Sequence, residues 1–240
     1  MAETQIDPKI LEKIELLQEK FKSSGQDMLS YLEGLLYADY LTYWEYINLD
    51  TLLSLQQPKT SFKDEKIFII YHQITELYFK LILSEMEQLA DQNPLNEDFF
   101  KIRLERILMY FDHLISSFAM MWKGMEKEQF LKFRMSLLPS SGFQSAQFRE
   151  IELMATEVWH LVAVGKRDLF DATSDAVSLF ENLYWQQGAK ELATGQKTLT
   201  LKTFEGKYRK SLVELIENYR SKNLWKRYSE LANPSEELQE

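Results

Sequence analysis

Apolar residues recur along this chain at intervals of three and four positions, the spacing that places them on one face of an α-helix. The clearest run extends from Ser61 to Leu89. Its apolar positions are Ile67, Ile70, Tyr71, Ile74, Leu77, Tyr78 and Leu81. The run predicts a helix of about seven turns that ends before Pro94. Ser61 and Asp64 resemble a capping box at its start, with Asp in the place of the usual Glu.

Shorter stretches of the same pattern predict further helices on both sides of this one. Asp7 and Pro8 are typical of a helix start and Ser23 to Gly25 of a helix end, so a first helix is predicted between them. The other predicted helices cover residues 28–40, 49–55, 95–121, 127–137, 145–164, 174–192, 200–219 and 224–231, with an extended segment or short turn at 41–46 and a loop at 139–142. We therefore predict an all-α fold, a helical bundle built around long antiparallel helices, as a single domain over residues 1–240.

Composition narrows the class of protein. The 240 residues include 8 glycines and 5 prolines, too few for a turn-rich β-sandwich. No cysteine is present, which excludes a disulfide scaffold and a cysteine-ligated zinc, haem-thiolate or iron–sulfur site. The formal net charge is −9, which argues against a nucleic-acid binder.

The sequence shows no targeting or membrane segment. Residues 1–7 lack the basic and apolar regions of a secretory signal, and no run approaches the ~18 apolar residues that a membrane span needs. The absence of cysteine is compatible with a reducing compartment. We therefore expect a cytoplasmic protein that does not insert into a membrane.

Three histidines are candidates for acid–base or metal chemistry: His72, His113 and His160. His72 follows Phe68 by four residues, so both share a helix face. It is either a half-buried histidine whose ring nitrogens are hydrogen-bonded within the protein or an imidazole that hydrogen-bonds a ligand stacked on Phe68. Glu157 and His160 have the Glu-x-x-His spacing of di-iron bundles, but the second such pair is missing, which favours an ordinary surface or interface pair. His113 is interpreted as a helix-surface residue.

Arg134 is the candidate anion-binding residue. It follows Phe130 by four residues, and Phe133 and Met135 flank it, so the guanidinium has an apolar setting. Desolvated there, it would favour a bidentate carboxylate, either of an internal acid or of a ligand. The sequence contains no arrangement of Ser, His and Asp typical of a catalytic triad. It also lacks a P-loop and the glycine-rich motif of dinucleotide-binding proteins. A cofactor enzyme or a non-enzymatic protein is therefore favoured.

Three groups of residues, in the same order, resemble motifs of the tryptophan 2,3-dioxygenase family. The first covers 41–56 and begins Leu-Thr-Tyr-Trp-Glu-Tyr-Ile-Asn-Leu-Asp. The second covers 64–80 and contains Phe68 and His72-Gln73. The third begins Phe-Leu-Lys-Phe-Arg at 130–134 and continues Ser-Ser-Gly-Phe-Gln-Ser at 140–145 and Gln-Phe-Arg at 147–149. The resemblance spans residues 41–152, and residues 154–240 resemble only the shorter bacterial branch.

The resemblance implies an all-α protein that binds haem b and uses dioxygen to open the indole ring of L-tryptophan. The product would be N-formylkynurenine, in the first step of tryptophan degradation by the kynurenine route. His72 would be the catalytic residue and would hydrogen-bond the indole N–H, while Phe68 would pack on the indole. Arg134 would bind the substrate carboxylate, and Phe130 would line the pocket.

The resemblance also implies contacts outside the substrate pocket. The family is homotetrameric, a dimer of dimers, so the N-terminal helices in residues 1–40 are expected to contact a neighbouring subunit. Tyr43, Tyr46 and Ile47 would reach that subunit's active site, which means that N-terminal segments are exchanged. Ser141 and Gly142 would line the haem cavity.

The family's proximal haem ligand, a histidine on a late helix, has no counterpart in this sequence. His160 is the last histidine of the sequence, and it lies too early in the chain to match the position of the family's ligand. We therefore expect the proximal histidine beyond Glu240. The Gly/Thr-rich substrate loop that follows this histidine in the family is expected there as well. Two alternatives therefore stand beside the dioxygenase. One is a haem-free helical homologue or truncated fragment that acts in assembly or binding, and the other is an unrelated ligand-binding bundle. The sequence leaves tryptophan and other indoles open as substrates.

Overall fold

The computed structural model describes residues 6–37, 42–134, 144–190, 195–231 and 235. These ranges are built from helices, with two isolated β-bridges in the place of strands. The predicted all-α class is therefore confirmed. Within the same ranges, no helix combines the length and the apolarity that crossing a bilayer requires. The predicted loop at 139–142 lies outside the described residues.

The chain divides into two compact units, residues 1–55 and residues 56–240, so the single domain stays a prediction. The first unit contains α1 (Pro8–Ser23), α2 (Met28–Tyr37), α3 (Tyr43–Tyr46) and α4 (Leu49–Ser54). Asp7 caps α1 as predicted, since its carboxylate accepts from the backbone N–H of Lys9 at 2.9 Å. The aromatic segment is a single helical turn, because the Glu45 carboxylate accepts from the amide and hydroxyl of Thr42 and closes the turn at its start.

The second unit carries the longer helices. They are α5 (Glu65–Asp91), α6 (Glu97–Ser117), α7 (Ala119–Lys123), α8 (Lys127–Phe133), α9 (Ala146–Ala155), α10 (Ala176–Glu181), α11 (Tyr184–Gln187), α12 (Leu199–Tyr219) and α13 (Leu224–Ser229), with two 3-10 helices at Val158–Leu161 and Val164–Leu169. Helices α5 and α12 agree with the predicted elements to within a few residues. The predicted helix at 95–121 is two helices that adjoin at Phe118.

The predicted capping box at the start of α5 is wrong. The helix begins at Glu65, and Asp64 is the cap residue without a capping bond from its own side chain. The Glu65 carboxylate instead accepts from the backbone N–H groups of Lys59 and Thr60, both at 2.7 Å. These bonds fold the preceding segment back onto the first residue of the helix, so Ser61 is left outside it.

Two predicted helices end earlier than their apolar pattern indicated. Helix α9 ends at Ala155, and Thr156 is extended with φ −145° and ψ 176°. The 174–192 helix breaks at Leu183, which forms an antiparallel bridge with Val162. Both of these residues are buried, at 0–1% exposed. Because the bridge joins residues far apart in sequence, local periodicity does not reveal the break.

Helices α5 and α6 pack antiparallel, as predicted for the long helices. Glu85 lies 3.2 Å from Nε of Arg103, Tyr78 contacts Tyr110, and Tyr71 contacts Phe118, so residue numbers fall on α5 as they rise on α6. The first core cluster joins these helices to α9. Its buried residues are Phe79, Ile82, Leu83, Met86, Leu89, Phe100, Ile107, Ile151 and Met154. A second cluster forms around α9, α10 and α12.

Candidate functional site

His72 and Phe68 form the first part of the candidate site, on one face of α5. Their ring centroids are 4.0 Å apart at an interplanar angle of 34°. Nδ1 of His72 lies 2.8 Å from the backbone carbonyl oxygen of Phe68. Because a carbonyl oxygen only accepts, we assign the proton of the neutral imidazole to Nδ1. Nε2 is then left with a lone pair that accepts a hydrogen bond or binds a metal.

Helix α8 brings a second group of aromatic side chains to this face. Phe133 is 1% exposed and lies edge-on to Phe68, with centroids 6.0 Å apart. Phe130 lies edge-on to Phe133 at 5.5 Å. The guanidinium carbon of Arg134 is 6.0 Å from the Phe130 ring centroid, at the outer limit of a cation–π contact. We call Phe68, His72, Phe130, Phe133 and Arg134 the aromatic cluster.

The aromatic cluster is a surface feature with a buried floor. His72 and Arg134 are exposed, Phe68 and Phe130 are half-buried, and Phe133 lies beneath them. A flat ligand can therefore reach a hydrogen-bond acceptor, aromatic rings and a cation from solvent. The four residues predicted to share a pocket, His72, Phe68, Phe130 and Arg134, are thus linked through consecutive ring contacts.

A pair of side chains joins the starts of α5 and α8. The Asp64 carboxylate accepts from the backbone N–H of Glu126 at 2.6 Å. In the opposite direction, the amide oxygen of Gln129 accepts from the backbone N–H of Asp64 at 3.4 Å. Gln129 also donates to the Glu126 carboxylate at 2.8 Å. These bonds position the helix that carries Phe130 and Arg134 against the helix that carries His72.

The second and third sequence motifs also meet one turn further along α5, at Glu76. Nε2 of Gln147 donates to the backbone carbonyl of Glu76 at 2.9 Å and to its carboxylate at 2.8 Å. Next to Gln147 in α9, Arg149 is 5% exposed and pairs with Glu152 at 3.0 Å. Burial raises the pKa of Glu152, although the Tyr184 hydroxyl and the Arg149 charge act against the rise. This part of the motif thus serves packing rather than the aromatic cluster.

The remaining predicted site residues lie elsewhere. Tyr43 and Tyr46 are on α3, and Ile47 is the residue that ends it, so all three belong to the first unit. Tyr43 is 71% and Tyr46 74% exposed, which leaves both side chains open to a partner. Ser141 and Gly142 lie outside the described residues.

The other two histidines have aromatic and acidic neighbours of their own. His113 stacks on Tyr78, with centroids 6.1 Å apart. The ring of His160 contacts that of Trp159 at an interplanar angle of 33°, and its Nε2 is 3.9 Å from the Glu157 carboxylate. That carboxylate also pairs with Lys226 at 2.6 Å, and this contact holds the pKa of Glu157 below its usual range. In the described ranges, no group of three or more metal-ligating side chains comes together.

A cavity of about 270 Å³ lies away from the aromatic cluster and shares no lining residue with it. Its walls include Trp159, Leu179 and Ile216. Its charged groups already have protein partners, since Lys226 pairs with Glu157 and Arg220 donates to the carbonyl of Ser174 at 2.9 Å. We therefore base the candidate site on the aromatic cluster, where His72 and Arg134 are exposed.

Two features of the site were missed at the level of sequence. Phe133 is the ring through which α5 and α8 meet, and its position three residues after Phe130 was a signal for a shared helix face. The bond from Asp64 to Glu126 had no sequence signal, because it joins residues on two helices that are distant in the chain.

The amino-acid sequence is similar to those of known proteins. A family model described as tryptophan 2,3-dioxygenase matches residues 33–233. A tryptophan 2,3-dioxygenase of Sorangium cellulosum is 40% identical over 126 residues, which is 48% of this chain and 30% of that protein. One of Herpetosiphon aurantiacus is 41% identical over 117 residues, covering 48% and 45% of the two chains. The chain spans less than half the length of the curated relatives it matches.

Proposed function

The chain belongs to the tryptophan 2,3-dioxygenase family, and on that premise we propose that it takes part in opening the indole ring of L-tryptophan to N-formylkynurenine. Both atoms of dioxygen enter the product as the indole C2–C3 bond breaks, so the reaction consumes no external reductant. The observation that carries the proposal is the aromatic cluster. It offers an acceptor for the indole N–H, rings for the indole face and a cation for the carboxylate.

His72 is the proposed partner of the indole N–H. With the Nδ1 proton donated to Phe68, the lone pair of Nε2 accepts from the indole nitrogen and fixes the in-plane orientation of the ring. The ring contact with Phe68, at 4.0 Å, limits rotation of the imidazole. His72 thus holds the substrate proton at a defined atom, which is the positioning role that catalysis requires.

Arg134 is the proposed partner of the substrate carboxylate. Its exposed guanidinium next to the half-buried ring of Phe130 combines charge with an apolar neighbour. A bidentate bond there fixes the amino-acid end of the substrate, while Phe68 and Phe130 pack on the indole and exclude water. Positioning of this kind accounts for several kcal/mol of a reaction barrier, up to roughly 7–11 kcal/mol.

The residues of the aromatic cluster fit the substrate side of a haem site. The exposed side chain of His72 and the half-buried rings of Phe68 and Phe130 provide a polar group within an apolar surface. When bound, haem supplies the binding and activation of dioxygen. The proximal ligand is proposed to come from neither His113 nor His160, whose rings contact Tyr78 and Trp159 outside the aromatic cluster. Ser141 and Gly142 are proposed to line the haem cavity.

Hemin titration tests this proposal directly. The chain, joined to the C-terminal region in which the proximal ligand is expected, is mixed with hemin, reduced and exposed to CO, and the variants His72→Ala, His113→Ala and His160→Ala are treated in the same way. We expect a sharp Soret band that shifts with CO in all four proteins. L-tryptophan should perturb the band in each of them, but His72→Ala should need roughly two- to tenfold more of it for the same change.

The histidine variants also define the results that would contradict the proposal. Loss of the band in His72→Ala alone would make His72 an iron ligand and end its role as the indole partner. A missing band in the wild-type protein that includes the expected ligand region would favour the haem-free homologue. An unperturbed band with L-tryptophan but a perturbed one with another indole would change the substrate.

We also propose a homotetramer with exchanged N-terminal segments. The described residues of α1 and α2 include none that is buried, and Leu35 and Leu36 are 71% and 83% exposed. Exposed apolar side chains in such numbers are typical of a surface that another chain covers. Tyr43, Tyr46 and Ile47 are proposed to reach the active site of the neighbouring subunit.

A cytoplasmic location completes the proposal. The chain has no cysteine, which is compatible with the reducing conditions of that compartment. Cell fractionation with antibodies against the protein tests it, and recovery outside the cytoplasmic fraction would contradict it.

A further inference from the structure

We infer that Asp64 is a positioning residue, which holds α8 against α5 and thereby sets Arg134 in register with His72. The inference rests on the proposed function for its consequence in ligand binding. Its structural part, the attachment of α8, stands on the contacts alone.

The spacing along α5 places Asp64 in line with the site. Asp64, Phe68 and His72 follow one another at intervals of four residues, so they lie along one helix face. Glu126, the residue before α8, and Phe130 within it are also four residues apart. The two helices are therefore joined at successive levels, first by polar bonds at their starts and then by aromatic rings.

The polar level consists of two reciprocal bonds. The Asp64 carboxylate accepts from the residue that precedes α8, and Gln129 of α8 accepts from the backbone of Asp64. A carboxylate at the start of a helix satisfies a backbone donor and interacts favourably with the helix dipole. Because α8 has only seven residues, its stability depends on such contacts more than that of a long helix.

The start of α5, where Asp64 lies, is held in place by its own hydrogen bonds. Glu65, the next residue, is 2% exposed and binds two backbone N–H groups of the preceding segment. Asp64 is therefore held between a helix and a segment folded back onto it. Because α8 has only seven residues, loss of the Asp64 carboxylate should loosen α8 rather than α5.

The aromatic contacts between α5 and α8 do not replace the polar bonds at the starts of these helices. Phe133 packs on Phe68, but an edge-on ring contact permits α8 to rotate or slide, whereas the bond to Glu126 fixes one point of its backbone. Arg134 ends α8, so a rotation of the released helix about the Phe133 contact changes where its guanidinium lies. The structure therefore predicts that Asp64 affects ligands that carry a carboxylate more than ligands that carry only the ring.

The test compares Asp64→Ala and Asp64→Asn with the wild-type chain. Asp91→Ala is the matched control, because Asp91 is an exposed aspartate at the other end of α5 that pairs with Lys222 at 2.7 Å. Hydrogen exchange by mass spectrometry follows the amides of residues 126–133. Calorimetry measures the affinity for L-tryptophan and for tryptamine, which lacks the carboxylate.

In Asp64→Ala we expect exchange at 126–133 to be roughly 2- to 30-fold faster, the range that corresponds to loss of a cap. The preference for L-tryptophan over tryptamine should fall at least several-fold. Asp64→Asn retains an acceptor oxygen and should restore most of both properties, and Asp91→Ala should change neither. Gln129→Ala, which removes the second bond, provides the same comparison if Asp64→Ala does not fold.

Unchanged exchange at 126–133 in Asp64→Ala overturns the inference, whatever the ligands show. Faster exchange together with an unchanged preference for L-tryptophan over tryptamine overturns the claim that Asp64 acts through Arg134. A wild-type chain that does not prefer L-tryptophan contradicts the proposed function instead, and the exchange data then decide separately whether Asp64 positions α8.

Discussion

Nδ1 of His72 lies 2.8 Å from the backbone carbonyl oxygen of Phe68, one helical turn earlier in α5. The helix that carries the imidazole therefore also determines which ring nitrogen is protonated. A histidine restrained in this way presents the same acceptor atom to every ligand that approaches from solvent. The proposed recognition of an indole N–H follows from this contact, and the first prediction tests it.

His72→Ala should weaken discrimination between L-tryptophan and its 1-methyl derivative, which has no indole N–H. In the wild-type chain the missing hydrogen bond should lower affinity roughly two- to tenfold. In the variant the two ligands should bind alike, as measured by calorimetry. His113→Ala is the control, because His113 also stacks on a helix-borne ring but lies outside the aromatic cluster. Equal discrimination in wild type and His72→Ala would refute the assigned role.

Arg134→Ala should weaken binding of L-tryptophan by roughly 10- to 100-fold, the range for a hydrogen-bonded charge, and leave tryptamine almost unaffected. Arg134→Lys should recover part of the loss, since an ammonium keeps the charge but not the bidentate geometry. Lys132→Ala controls for a general change in surface charge.

A double variant tests whether Asp64 acts through Arg134. If it does, Asp64→Ala/Arg134→Ala should lose little more affinity for L-tryptophan than Arg134→Ala alone. Additive losses would show that the two residues act independently.

Phe133→Ala should destabilise the protein by about 3–5 kcal/mol, because it removes a ring that is 1% exposed and leaves a cavity beneath Phe68 and Phe130. Leu131→Ala on the same helix removes a side chain that is 46% exposed and should change stability by less than about 1 kcal/mol. Urea unfolding followed by circular dichroism measures both. A similar cost for the two variants would mean that Phe133 is not the packing centre between α5 and α8.

The repeating pattern of the chain predicted the long helices but not the points where neighbouring elements stop. The regions of α5 and α12 were found because several turns repeat the same apolar face. The break at Leu183 depends on a bridge to Val162, a contact between residues far apart in sequence.

The same distinction applies to the site. Four-residue spacing revealed the pair of Phe68 and His72, and likewise the pair of Phe130 and Arg134. That the two pairs meet through Phe133 is a property of tertiary packing, which periodicity along one helix does not contain. The bond from Asp64 to Glu126 belongs to the same category.

Glu65→Gln should lower stability at neutral pH and lose its effect in acid. Burial alone raises the pKa of Glu65, but the hydrogen bonds from Thr60 and Lys59 outweigh it and hold the pKa below its usual value of 4.5. A carboxyl whose pKa is lower in the folded state contributes stability above the unfolded value. That contribution disappears as the pH falls through the folded value.

Urea unfolding at pH 7 and at several values from 5 downward measures the difference between wild type and Glu65→Gln. We expect a loss of roughly 1.5–3 kcal/mol at pH 7, the worth of a hydrogen bond to a charged group, and a shrinking difference below about pH 4.5. Glu105→Gln, at an exposed position of α6, is the control. A difference that persists unchanged in acid would show that ionisation of Glu65 does not stabilise the fold.

Leu36→Glu should weaken self-association without unfolding the second unit. Leu36 is 83% exposed on α2, and a charge there is costly only if another chain covers the position. Light scattering coupled to size exclusion should give a lower average mass for the variant than for wild type at equal concentration. Glu33→Gln, an exposed polar change one turn earlier, should leave the mass unchanged. A Leu36→Glu protein that associates like wild type would mean that α2 does not lie in the subunit interface.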